Sequence, residues 1–197
     1  WDTGKSPRYV GAPGMNGLAK FLAKGLDIHQ NTQINAVRDT ADGCDVTAGN
    51  QTWHFKTLAV TVPAPQAIML LGEQHALSSK LSDVELLPCL TLMAAFSPQA
   101  TIPFTARRDP NDALSWIALD SSKPQRSTQQ CWVAHANPQW SAEYLEADPE
   151  TIAELMLPLL CERLGVDATT ATHAVAHRWR YALVSKPLGS PFLRNAG

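Results

Sequence analysis

The run Thr57-Leu-Ala-Val-Thr-Val62 goes straight into Pro63-Ala-Pro65. A stretch that is continuously apolar and β-branched, with no polar alternation, has the pattern of a strand buried on both faces of a parallel sheet. Proline cannot donate to a central ladder, so Pro63 is expected to close that strand and with it the first folding unit. Upstream, Met15, Leu18, Ala19 and Leu22 recur at helical spacing after the turn Gly11-Ala-Pro-Gly14, and Gly25 supplies a stop. Extended pieces are expected around Leu26–His29 and Gln33–Arg38. Asp42-Gly43 has hairpin-turn chemistry, and Cys44–Thr47 can then pair with Thr52–Phe55.

Beyond Pro65 the texture changes. Helices are expected over Gln66–Leu71 and Leu77–Val84, then strands at Cys89–Phe96, Ala113–Leu119, Cys131–Ala136 and His173–Leu183. Asp148-Pro149, an N-cap followed by proline at the first helical position, starts a helix that Gly165 ends. That helix presents Ile152, Leu155, Met156, Leu159 and Leu160, and Pro158 is expected to bend or shorten it. The pattern divides the chain into residues 1–63, 64–183 and a segment 184–197 that returns toward the first unit. The fold class is α+β.

Several function classes drop out on composition. Net charge is −2 over 197 residues, with no basic cluster, which argues against nucleic acid and anionic membranes as partners. No apolar stretch approaches the roughly 20 residues of a membrane span. Trp1–Arg8 is polar and lacks the apolar core of a signal peptide, so a cytoplasmic location is expected. Cys44, Cys89, Cys131 and Cys161 are scattered without a C-x-x-C pair, and the six histidines show no ligand spacing, so no metal is expected.

Seven segments, taken in order, resemble one family. They are Gly14-Met-Asn-Gly-Leu18, Asn31-Thr-Gln-Ile-Asn-Ala-Val37, Leu58-Ala-Val-Thr-Val-Pro-Ala-Pro-Gln66, Leu114-Ser-Trp-Ile-Ala118, Ser122-Lys-Pro-Gln-Arg126, Trp132-Val-Ala-His-Ala136 and His177-Arg-Trp-Arg-Tyr-Ala182. Together they resemble the bacterial renalase-like branch of the FAD-dependent amine oxidases. The resemblance implies a two-domain flavoprotein similar to p-hydroxybenzoate hydroxylase. A Rossmann-like FAD domain, of which this chain holds a part, would be roofed by a mixed β-sheet with flanking helices. It further implies oxidation of a small-molecule donor, a dihydronicotinamide or an amine, with hydride passing to FAD and electrons to oxygen.

On that resemblance Ile34, Thr61, Val62 and Pro63 fall where relatives pass the cofactor. The carboxyl end of a buried strand is also where open α/β sheets gather ligands. His135 and Trp179 fall toward the donor, although a mid-strand histidine is more often a hydrogen-bonded core residue and an aromatic there more often packing. Alternation puts His177, Trp179 and Tyr181 on one face of the last strand and Arg178 and Arg180 on the other. Arg180 could hold a substrate phosphate, or it could form an ion pair on the sheet.

One departure from the family matters. The G-x-G-x-x-G turn that brings backbone N–H groups to a pyrophosphate is absent, since Gly11, Gly14 and Gly17 have the wrong spacing and no strand before them. The family's C-terminal flavin motif is missing too. The expectation is that FAD binds the intact protein and that this chain alone holds none. The alternative is a non-catalytic module that self-associates, as a homodimer, through uncovered apolar surface.

Overall fold

The structure is a computed structural model that describes residues 9–97 and 102–195; the opening octapeptide read for a leader lies outside them. It resolves into two compact units. Leu87–Leu183 with the segment ending at Leu26 form one, and Asp27–Leu86 with the segment from Val184 onward form the other. Pro63 falls inside the second unit, and residues 184–197 group with 27–86.

The described chain opens with α1 (Gly17–Leu22), in which no residue is buried. In the smaller unit β1 (Ala36–Thr40), β2 (Gly43–Ala48) and β3 (Gln51–Phe55) form an antiparallel meander. The turn falls one residue earlier than expected, at Ala41-Asp42, with Thr40 opposite Gly43, the first residue of β2; the expected pairing of Cys44–Thr47 with Thr52–Phe55 is present. Gly43 has to be glycine, because a Cβ there would sit 2.2 Å from the Phe55 carbonyl oxygen. The short helices α2 (Ala64–Leu71) and α3 (Ser78–Leu81) follow.

Residues 57–62 correct the opening expectation. They form no strand and are almost entirely exposed. A strand buried on both faces needs hydrogen-bonded neighbours, and no described strand lies beside this run. The composition of a central strand is therefore left as an extended, uncovered segment. Leu26–His29 is likewise irregular.

The larger unit is built on a five-stranded antiparallel sheet. Its strands are β4 (Glu85–Phe96), β5 (Ala106–Arg108), β6 (Leu114–Leu119), β7 (Gln130–Ala136) and β8 (Ala171–Lys186), in the order β5-β6-β7-β4-β8. One face is the core. Leu90, Leu92, Ala94 and Phe96 of β4 meet Trp132, Ala134 and Ala136 of β7 and Leu114, Ile117 and Leu119 of β6. Above them lie α4 (Pro138–Glu143) and α5 (Pro149–Leu164). The Leu90 N–H donates to Ser141 Oγ at 3.0 Å, which ties α4 to the sheet at a fully buried hydroxyl.

Helix α5 begins and ends where its caps said it would. Asp148 accepts from the Thr151 N–H at 2.8 Å, and Gly165 closes it in the left-handed conformation at φ +67°. The expectation that Pro158 shortens the helix fails. Glu154, whose carbonyl loses its partner to the proline, is exposed and water can serve it. The buried stripe also turns: Ile152, Ala153, Met156, Leu160, Cys161 and Leu164 face the sheet, while Leu155 points to solvent.

Candidate functional site

Because side chains alternate along a strand, the sheet that buries Trp132, Ala134 and Ala136 must present His135 on its other face. That face is only partly open: Thr91 of β4 is buried on it, whereas Met93 is 39% exposed. His135 stands opposite Thr91 of β4 and Trp116 of β6, so the three form a row across the strands. A register shift between Leu114 and Trp116 lets β6 keep Leu114 and Ile117 in the core while Trp116 joins this row. On β8, Ala174 and Ala176 pack toward the core, so His177 and Trp179 belong to the open face as well. Their rings meet edge-on at 4.4 Å, and Trp179 is 55% exposed.

His135 is half-buried, and its ring has no hydrogen-bond partner among the described residues. Burial pushes its pKa down, and the nearby Lys123 ammonium adds to this, so the imidazole is neutral at neutral pH. A neutral imidazole has one donor and one acceptor nitrogen. Here both are left for a ligand or water.

Arg180 is not part of this face. It lies on the helix side of β8, where Nη1 and Nη2 donate to the two carboxylate oxygens of Glu146 at 2.7 and 2.9 Å. Arg178 beside it donates to the Ala147 carbonyl at 2.6 Å. The two arginines fasten the α4–α5 connection to the sheet edge. The structure thus puts His135 and Trp179 on the same face of the sheet, on strands separated by β4, and Arg180 on the other face.

Of the four residues expected near a cofactor, Ile34 lines a hollow of about 220 Å³ with His29, Thr32, Val46, Trp53 and Phe55. His29 meets Trp53 edge-on at 5.9 Å. Thr61, Val62 and Pro63 form the exposed approach to α2, and Pro63 is the residue preceding its first turn. The glycines near the start form a closed turn rather than a phosphate cradle. A Cβ on Gly11 would lie 2.4 Å from the Gly14 carbonyl, and the Gly17 N–H donates to that same oxygen at 2.9 Å.

One cluster escaped the sequence reading. Asp112, with 7% of its side chain exposed, accepts from Arg163 Nε at 3.1 Å and Nη2 at 3.0 Å, from Arg107 Nη2 at 3.1 Å and from the Leu114 N–H at 3.0 Å. Burial opposes its charge, but the Arg163 bonds, the Leu114 amide and both guanidinium charges hold the carboxyl below the usual range. Asp112 and Arg163 are 51 residues apart, and no local signal links them. Cys44, Cys89 and Cys161 are buried and unbridged, and burial raises their thiol pKa values, so they behave as small core residues.

Comparison with known proteins places this architecture. A protein assigned as a protoporphyrinogen oxidase from Exiguobacterium sp. 255-15 superposes with a TM-score of 0.69 at 18% identity, over 89% of this chain and 41% of its own. A putrescine oxidase bound to putrescine gives 0.63 at 15% identity, over 88% and 41%. Cyclohexylamine oxidase from Brevibacterium oxydans IH-35A gives 0.59 at 12%, over 75% and 34%. At these identities the likeness is one of fold, and the chain spans about two fifths of the length of such proteins. The family model for flavin-containing amine oxidoreductases matches residues 3–190, nearly the whole chain. The chain belongs to the flavin-containing amine oxidoreductase family.

Proposed function

We propose that this chain carries the donor-facing sheet of an FAD-dependent oxidoreductase of the renalase-like branch, acting on a dihydronicotinamide-like donor or an amine. FAD, when bound, supplies the hydride acceptor and the route of electrons to oxygen. The observation behind the reading is His135: a neutral imidazole with no partner among the described residues, half-buried between Thr91 and Trp116 on the sheet face opposite the core. A core histidine would be hydrogen-bonded. His135 can donate to a carboxamide oxygen or orient an amine, and the exposed Trp179 indole offers a flat wall for a planar ring. Arg180 acts at one remove, by holding the α4–α5 connection through Glu146.

The residues present fit one edge of an FAD. Residues 57–62 run extended with their backbone groups outside any sheet, and Leu58 and Val62 expose apolar surface that a bound group would cover. Thr61, Val62 and Pro63 would line the cofactor, and Ile34 would meet its far end through the backbone. No turn able to hold the pyrophosphate accompanies them among the described residues. Donor binding is therefore the property to test on this chain. Titration with 1-methyl-1,4-dihydronicotinamide and with benzylamine should shift the His135 ring resonances saturably with at least one of them. His135→Ala should weaken that binding at least ten-fold, read at the Trp179 indole. Silence of His135 toward both would reject the reading.

Helix α1 favours a second reading, a module that self-associates. Leu18, Phe21 and Leu22 are all well exposed, and the helix buries nothing. Sedimentation that depends on concentration in the wild type, and not in Leu18→Ser/Phe21→Ser, would support it. A monomer at every concentration would exclude it.

A further inference from the structure

The outer face of the meander carries a row of charges. Arg38 of β1, Asp45 of β2 and His54 of β3 are direct cross-strand partners, so their side chains stand side by side. Arg38 Nη2 donates to Asp45 Oδ2 at 3.1 Å, and His54 Nδ1 lies 3.0 Å from the other oxygen, Oδ1. The second ring nitrogen faces a carboxylate too, because His54 Nε2 lies 3.5 Å from Asp42 Oδ1 in the turn. His54 therefore joins the last strand both to its neighbour and to the β1–β2 reversal.

An ionised carboxylate only accepts, and a neutral imidazole has a single donor nitrogen. With a carboxylate oxygen at each ring nitrogen, only the imidazolium satisfies both. Asp45 and Asp42 are the charged groups that bear on His54, and Arg38 balances Asp45 from the far side. The Asp45 bond raises the histidine pKa above its usual 6.5, desolvation opposes this, and the charges of Asp42 and Asp45 add to the rise. With the folded value raised, the stabilisation is complete below the unfolded 6.5 and is lost as pH climbs through the folded one.

Strand β3 is where such a contact counts. It is an outer strand and none of its side chains is buried, so little besides its ladder holds it to β2. The Thr47–Thr52 hydroxyl pair at 3.2 Å also spans the two strands, but it does not titrate. Alternation turns Trp53 and Phe55 to the face opposite His54, where with His29 and Ile34 they line the hollow of about 220 Å³. We infer that the Arg38–Asp45–His54 row, with Asp42, is a pH-sensitive clasp: it holds β3 closed while His54 carries its proton and loosens the Trp53–Phe55 wall of the hollow as pH rises.

Amide exchange across the meander, corrected for intrinsic rates and compared at about pH 6 and about pH 8.5, tests this. The wild type should lose about two- to five-fold of its β2–β3 protection between them, the range an exposed ion pair supplies, while β6 and β7 stay constant. His54→Gln removes the charge, and its protection should be low at both values. The Trp53 indole N–H should shift in step with the His54 ring titration. Asp45→Asn should bring that titration down toward 6.5, further than Asp42→Asn does. Wild-type protection indifferent to pH, the same loss in His54→Gln, or a Trp53 resonance that ignores the His54 titration overturns the inference.

Discussion

Replacing Asp112 by alanine removes a largely buried carboxylate that four donors converge on: Arg163 twice, Arg107 once and the Leu114 amide. The loss strands the Arg163 guanidinium against α5 and β6 without its counter-charge. Breaking a buried pair from one side costs about 3–5 kcal/mol. Arg163 keeps 18% of its side chain exposed, which water can reach, so the lower end, about 3 kcal/mol, applies. At roughly 2–4 °C per kcal/mol for a chain of this size, the midpoint should fall by about 6–12 °C. Asp112→Asn, which keeps an acceptor for Leu114 but not the charge, should lose less.

Calorimetry and urea melts of the three proteins measure this, and acid titration adds a sign. A carboxyl with its folded pKa below the unfolded 3.8 contributes stability that is present above that value and lost as pH falls through the lower folded one. The gap between wild type and Asp112→Asn should therefore be constant from neutral pH down to about pH 5 and close below about pH 4. A midpoint loss under about 2 °C for Asp112→Ala, or a gap indifferent to acid, would refute the reasoning.

Three further outcomes are expected. The folded His135 imidazole takes its proton later than the unfolded one at 6.5, so its contribution is present above that value and lost as pH falls through the folded one; NMR should place its titration below 6.5, and Lys123→Gln should raise it. Trp132→Ala, in the core, should cost about 3–5 kcal/mol in urea melts, whereas Trp179→Ala on the open face should change stability by less than about 0.5 kcal/mol while weakening donor binding. Asn137→Ala should cost about 1–2 kcal/mol, because Asn137 caps α4 through the Trp140 N–H at 2.8 Å and also donates to the Asp112 carbonyl at 3.0 Å.

What the sequence makes legible is local. Asp148-Pro149 with Gly165 bounds α5, and the polar Asp42 beside Gly43 marks the first reversal of the meander to within one residue, because caps and turns act over a few residues. Asn137-Pro138 carries the same cap-and-proline signal, which could have revealed α4. The alternation of Trp132, Ala134 and Ala136 is enough to turn His135 away from the core. What stays hidden depends on distant partners. Whether Arg180 holds a phosphate or an ion pair stays open in the sequence, because its partner Glu146 is 34 residues away. The run at 57–62 looks like a central strand because composition reports what a segment could pair with, and pairing is decided by the neighbours present.

The central claim is that the open face of the five-stranded sheet presents a reducing donor to flavin. Anaerobic mixing of the intact FAD-loaded protein, of which this chain is read as a part, with dihydronicotinamide isomers or amines, followed at the flavin absorbance band, tests it most directly. The account expects bleaching by at least one donor class, slowed at least ten-fold in His135→Ala with the flavin still bound. Bleaching at the same rate without His135, or none with either class, would contradict it.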